Sequence, residues 1–236
     1  MVLPIFKFFY NMKIIIFSSI VTVIFLLSFG SKNTATQSYF VTYLMEYKLD
    51  LKATKSLAIP NSLRQDFEEY LIAESEMKTY FTLEHIKNKS LYQFDKVENP
   101  PKKREIENYP FFYKDFTKKE IYITGGLIDV GAVKEQFIIW TYQKDTISIL
   151  GYNCQKAIYV EENDTTIAWY AKDIFILDGP EHYAGLSGLI LKIETNERTM
   201  TATDVIKIKN EELKVEIPIF KQIINGSDFK RKIKPH

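Results

Sequence analysis

The sequence predicts a mainly β domain of α+β type: a single curved antiparallel sheet or half-open barrel with one short helix packed against it. Three observations carry this. Apolar residues recur at every second position through many short runs. Turn-forming residues separate those runs at the spacing expected of hairpins. Helical spacing is confined to one stretch.

The first run, 38–52 (SYFVTYLMEYKLDLK), sets Tyr39, Val41, Tyr43, Met45, Tyr47, Leu49 and Leu51 against Phe40, Thr42, Leu44 and Glu46, the period of a half-buried strand. Ser62 and Gln65 then form a capping-box pattern. Leu63, Phe67, Tyr70 and Leu71 follow at helical spacing, predicting a short amphipathic helix whose apolar stripe lies on the sheet. Runs 77–86 and 90–96 read as a hairpin turning at Lys87-Asn88-Lys89. Pro100-Pro101, Arg104 and Tyr109-Pro110 bound a polar loop, because consecutive prolines cannot donate to a ladder. Further strands are expected over 120–124, 137–142, 146–150, 155–161, 165–170, 189–195, 199–209 and 213–215, with turns at Asn163-Asp164 and Asn196-Glu197-Arg198.

The N-terminus reads as an export signal. Lys7 and Lys13 precede an uncharged apolar run, 14–29, which breaks at Gly30-Ser31-Lys32. Residues 1–31 are therefore expected to be a signal peptide, or a retained anchor given that the run approaches the roughly 20 residues that span a bilayer. Met12-Lys13 is the more ordinary start. The remaining sequence fits one β-rich domain over 38–225, followed by a basic tail over 226–236 with Lys230, Arg231, Lys232 and Lys234. That tail reads as a solvated terminus.

Without residues 1–31, 29 basic residues face 30 acidic ones, a net charge of −1. Such a balance gives no global field for nucleic acid, and membrane contact is expected only through the N-terminal segment if it is uncleaved. Cys154 is the one cysteine, so no internal disulfide can hold the domain.

Two motifs stand out between 149 and 193. The first is Ile149-Leu150-Gly151-Tyr152-Asn153-Cys154-Gln155-Lys156-Ala157; the second runs from Gly179-Pro180 through Tyr183 to Gly185-Leu186-Ser187-Gly188-Leu189-Ile190, with Trp169-Tyr170 and Ile174 between them. Together they resemble the signature of the GLPGLI family of exported proteins known mainly from the Bacteroidota. Two departures are Ser187, where the name motif carries proline, and Phe175, where proline often follows the isoleucine. The resemblance implies an exported β-rich protein and brings no agreed molecular function with it.

The chemistry-bearing residues each have a structural explanation. Cys154 is in phase with Tyr152, Ile158 and Val160, with Lys156 the polar member of that face, so it is expected to be buried as a small hydrophobe. His182 beside Glu181 and Asp178 falls short of a metal ligand set, and Asp178-Gly179-Pro180-Glu181 reads as polar turn chemistry. Ser187 lacks the G-x-S-x-G spacing of a nucleophile elbow, and no Lys-Ser/Thr follows Gly188 as a phosphate loop would require. Gly185 and Gly188 are instead expected to form an architectural corner. Sequons at Asn88, Asn163 and Asn225 read as chance occurrences in a bacterial chain. Seventeen Phe and fifteen Tyr beside two Trp suit a Tyr-rich core, or a lined cavity.

The sequence thus predicts an exported cell-envelope protein with no catalytic residue, cofactor or metal. Its expected role is non-enzymatic binding of an apolar or amphipathic ligand or an envelope partner. The alternatives are a structural or assembly role through a sheet edge, and an enzyme or redox protein using Cys154 with His182.

Overall fold

The computed structural model describes residues 37–49, 59–101, 109–125, 128–162, 164–209, 215, 218–220 and 222–228. The expected export segment, the turn at Asn163, the loop around Arg104 and the basic tail beyond residue 228 lie outside these.

The chain from Gln37 onward is one compact unit. Its elements are β1 (Ser38–Tyr47), α1 (Asn61–Glu76), β2 (Lys78–Ile86), β3 (Lys89–Glu98), β4 (Phe111–Asp115), β5 (Glu120–Gly125), β6 (Ile128–Gln136), β7 (Thr141–Ile149), β8 (Tyr152–Glu161), β9 (Asp164–Ala171), β10 (Leu189–Glu194), β11 (Arg198–Ile208) and β12 (Ile223–Asn225). The strands form one sheet ordered β12-β6-β5-β4-β3-β2-β1-β11-β10-β9-β8-β7, so the protein is mainly β and its single sheet keeps two edges. Every pairing is antiparallel except β12 with β6. Two meanders, β1–β6 and β7–β11, are joined where β1 pairs with β11.

Alternation builds the core as the sequence predicts. Tyr39, Val41, Tyr43 and Met45 of β1 are buried on one face, and the register carries that face outward through Leu83, Tyr92 and Phe112. Phe81 stacks on Tyr92 with ring centroids 5.1 Å apart, and Tyr43 meets Tyr92 edge-on at 6.0 Å. The abundant tyrosines largely fill this core.

Four expectations need correction. Residues 137–140 are not strand; β7 starts at Thr141 and runs through the stretch read as two strands. There the Trp140 indole turns aside to donate to Ala184 O at 2.9 Å. Val215, expected in a strand, is in none. β4 and β6, which were not expected, complete the first meander. Finally, α1 is longer than expected and buries none of its residues; Leu63 is 54% exposed. Its first turn is capped by backbone, Leu63 N to Pro60 O at 2.9 Å, while Gln65 Nε2 donates to Glu69 Oε1 at 3.0 Å and takes no part in a capping box.

Candidate functional site: a charge-locked segment over the sheet

Between β9 and β10 the chain makes a 172–188 excursion without regular structure. Side chains alternate along its first part: Ile174, Ile176 and Asp178 are buried, whereas Phe175 and Leu177 are exposed. Backbone bonds fix both ends, with Leu189 N donating to Ile174 O at 3.1 Å, Ile190 N to Asp178 O at 2.9 Å and Gly185 N to Leu177 O at 2.8 Å. The Tyr43 hydroxyl reaches across from β1 to donate to Ile190 O at 2.7 Å.

Beneath this segment lies a buried charge cluster. Residues in direct register, Tyr39, His85, Ser90, Lys114 and Ile121, form one row across β1 to β5, and all are buried. Asp178 comes down onto this row. Its Oδ2 lies 2.8 Å from His85 Nδ1, and its Oδ1 accepts from Lys114 Nζ at 2.6 Å and from Gly179 N at 2.8 Å. Lys114 Nζ also donates to Gly179 O. The other His85 nitrogen, Nε2, faces Lys87 O at 3.2 Å.

Burial would push the Asp178 carboxyl up, but the Lys114 charge and the hydrogen bonds from His85 and Lys114 overcome it and hold the group well below the carboxylate range. Burial lowers the affinity of Lys114 for its proton, opposed by the charge of Asp178 and the hydrogen bond to it. A second pair sits alongside: Arg198 Nη2 of β11 donates to Glu181 Oε2 at 2.9 Å. Burial raises the Glu181 carboxyl despite Arg198 and Lys114. Glu181 also adopts a left-handed backbone, φ 48°, in which non-glycine residues are uncommon.

The expected turn is present, closed by Tyr183 N to Pro180 O at 3.0 Å, with Gly179 N on Asp178 Oδ1 at 2.8 Å, but its carboxylates do not face solvent. Asp178 and Glu181 are core residues, and the histidine that meets Asp178 is His85 of β2, whereas His182 packs on Tyr183 with ring centroids 4.1 Å apart. A buried charge that belongs to an ion pair looks, in sequence, like any surface charge. The available signal was Lys114 directly after the aromatic run Phe111-Phe112-Tyr113 and two residues before Phe116.

The glycines of the second motif have separate geometric reasons. Gly185 takes φ +94°. A Cβ on Gly179 would lie 2.7 Å from Ile190 Cβ, and one on Gly188 would collide with the Ala171 backbone, whose carbonyl carbon is 2.7 Å away. Leu186, Leu189 and Ile190 are fully buried, and Pro180 is buried. In the first motif Gly151, φ +81°, makes the β7–β8 turn with Leu150. Cys154 is buried beside Ala157, and burial pushes its thiol up to about 11, opposite to the shift that makes a reactive thiolate. Its strand-mate Val160 is 57% exposed, at the strand's far end. Lys156 lies 3.6 Å from Asp145 Oδ2 and 5.7 Å from the centroid of the Trp169 ring that opposes it in register. The Trp169 indole donates to Glu194 Oε1 at 2.8 Å, and the buried Tyr170 donates to Gln155 Oε1 at 3.0 Å. Ser187 is exposed.

Asp178, His85 and Lys114 are buried and paired with one another, while Ser90 Oγ in the same row is buried without a hydrogen-bond partner and Arg198 keeps one side toward solvent. The chemistry of the cluster is that of a clamp, which fixes the excursion across β2, β4 and β11. Outside it, the excursion bears Phe175, 81% exposed, and Leu177, 49% exposed. Gly185, bonded to Leu177, lies against Phe137 and Ile138, so the neighbouring backbone also bears Ile139, 90% exposed.

Residues 96–225, more than half the chain, match the profile of the N-glycanase peptide, N-terminal domain. Two solved structures share the fold. PNGF-II in space group C2 is 19% identical with a TM-score of 0.51, over 83% of this chain and 32% of that one; PNGF-II in space group P21 is 22% identical with a TM-score of 0.50, over 84% and 33%. The chain thus spans about a third of each structure it matches. A search of curated proteins finds no match.

Proposed function

The chain belongs to the family of the N-glycanase peptide, N-terminal domain, and on that premise we propose that it is a non-enzymatic recognition domain of an exported, cell-envelope protein. Its contact surface is the apolar rim around Phe175, Leu177 and Ile139, and its ligand is an apolar or amphipathic molecule or an envelope partner. The observation that carries this is large apolar side chains held in water by backbone clamped from below. A surface held in one conformation loses little entropy when it is covered, and exposed apolar clusters on such scaffolds mark contact sites. The motif between 149 and 190 supports export through its resemblance to the GLPGLI family, and the run 14–29 supports it through its signal-like pattern. In this reading the sheet curves into a half-open barrel, with the excursion lying on its concave side.

A photo-crosslinking residue at position 175, in cells of the native host, tests the proposal. A discrete protein or lipid adduct that is missing when the same residue replaces the exposed Val160 is the expected result. Equal and diffuse labelling at both positions would rule out a contact site at Phe175.

The second reading, envelope assembly through a sheet edge, is favoured by β7, the terminal strand of the sheet, which is exposed along most of its length and carries no charge from Thr146 to Ile149. Crosslinking at Ser148 in the same experiment separates the two.

A further inference from the structure

α1 is sixteen residues long, buries none of them and has no side-chain cap. A helix of this length is marginal in water by itself, and helices in proteins are held mainly by covering an apolar face. Here Leu63 and Tyr70 stand exposed on one face with Phe67 half-buried between them, and Ile72 is exposed on the opposite side. The charges are also placed against helix stability. Arg64 faces Asp66, Glu68, Glu69, Glu74 and Glu76, a net charge of −4, and the last turn, where cations favour the helix dipole, has no basic residue.

The sequence contains the complement. Residues 229–234 read Phe-Lys-Arg-Lys-Ile-Lys, a net charge of +4 with two apolar side chains, Phe229 and Ile233, among the cations. We propose that α1 is the docking surface for the 229–234 segment of a second copy of this chain, reciprocally, in a two-fold dimer.

Reach favours the second copy over the same one. α1 lies against β1, six strand steps from β12 in the sheet order, or about 29 Å along the sheet at ~4.8 Å per step. From Asn225 the helical residues 226–228 advance about 5 Å, and even full extension of the next three would add only about 10 Å. Reciprocal docking satisfies both helices at once, as a closed two-fold interface requires.

The experiment uses the full chain and native mass spectrometry over a dilution series, with circular dichroism to verify folding. Wild type is expected to dimerise, and the dimer to weaken at least tenfold between 50 and 500 mM salt, values of about the range over which exposed ion pairs are screened. Lys230→Glu/Arg231→Glu/Lys232→Glu and Glu68→Lys/Glu69→Lys should each be monomeric. Mixed together they should form only the heterodimer, in which both contacts regain opposite charges. A wild type that stays monomeric at every concentration overturns the proposal, as does a dimer indifferent to both variants. So does crosslinking of Lys232 to Glu69 within one copy, read from a mixture of isotopically light and heavy protein.

Discussion

The 172–188 excursion and α1 are insertions of nearly equal length between neighbouring strands, and they invert the usual association of regular backbone with anchorage. The excursion has no helix or strand, yet its alternate side chains reach the core and three partners from three strands, His85, Lys114 and Arg198, hold its carboxylates. The helix bonds its own backbone and brings none of its residues beyond half-burial. Where a segment's polar groups find partners thus decides less than where its side chains go.

Breaking the clamp should have the largest effect. Asp178→Ala leaves Lys114 and His85 buried without their carboxylate, and removing one member of a buried pair typically costs about 3–5 kcal/mol; urea unfolding should show at least that loss. Leu63→Ala on α1, measured at a protein concentration low enough for monomer, should stay within about 0.5 kcal/mol. Equal effects at the two sites would dissolve the contrast.

Next in size are the motif glycines. Gly188→Val places a branched side chain against the Ala171 backbone and should lower stability by about 1–3 kcal/mol, as overpacking does. Gly185→Val should fall in the same range of about 1–3 kcal/mol because of its positive φ. Thermal melts that match wild type for both would remove the architectural role of the turn.

Acid offers a graded test. The Asp178 carboxyl is held below its unfolded value, so its contribution is complete above the ordinary carboxylate range, about pH 4, and is lost as pH falls toward the folded value. Asp178→Asn should therefore flatten the fall in melting temperature below pH 4. Glu181, raised by burial, works in the opposite sense: its contribution is present at low pH and lost as pH rises through the folded value. An Asp178→Asn profile parallel to wild type would show that the pair is not ionised.

The smallest effects should come from Cys154 and Ser187. Maleimide should label Cys154 only after denaturation, because the thiol is buried and held protonated at neutral pH. Ser187→Ala should leave the melting temperature within about 0.5 kcal/mol of stability, since the side chain is exposed.

What was legible in the sequence was whatever depends on local alternation. The buried face of β1, the β2–β3 hairpin and the β8 to β11 strands follow from period-two patterning and turn residues. β4 was hidden because Lys114 and Asp115 make Phe111–Asp115 look half polar, and only a carboxylate from 64 residues further along the chain makes the lysine's burial tolerable. The clamp was hidden for the same reason. Asp178, Glu181 and Arg198 lie in stretches rich in turn residues, and their pairings join strands that the sequence cannot order. The α1 helix was legible as a helix but not in its exposure, since an apolar stripe says that a face needs covering without saying by what.

The placement of β1 bears on how such a chain is made. Ser38 pairs with Ile208, so the first strand of the domain finds one of its two neighbours only after nearly all the others exist. Each meander can assemble from contacts between consecutive strands, which close quickly, while the seam between them must wait for the longest loop in the protein. Until β11 emerges, β1 is an aromatic, uncapped margin in the middle of a half-built sheet, the kind of edge on which other chains add.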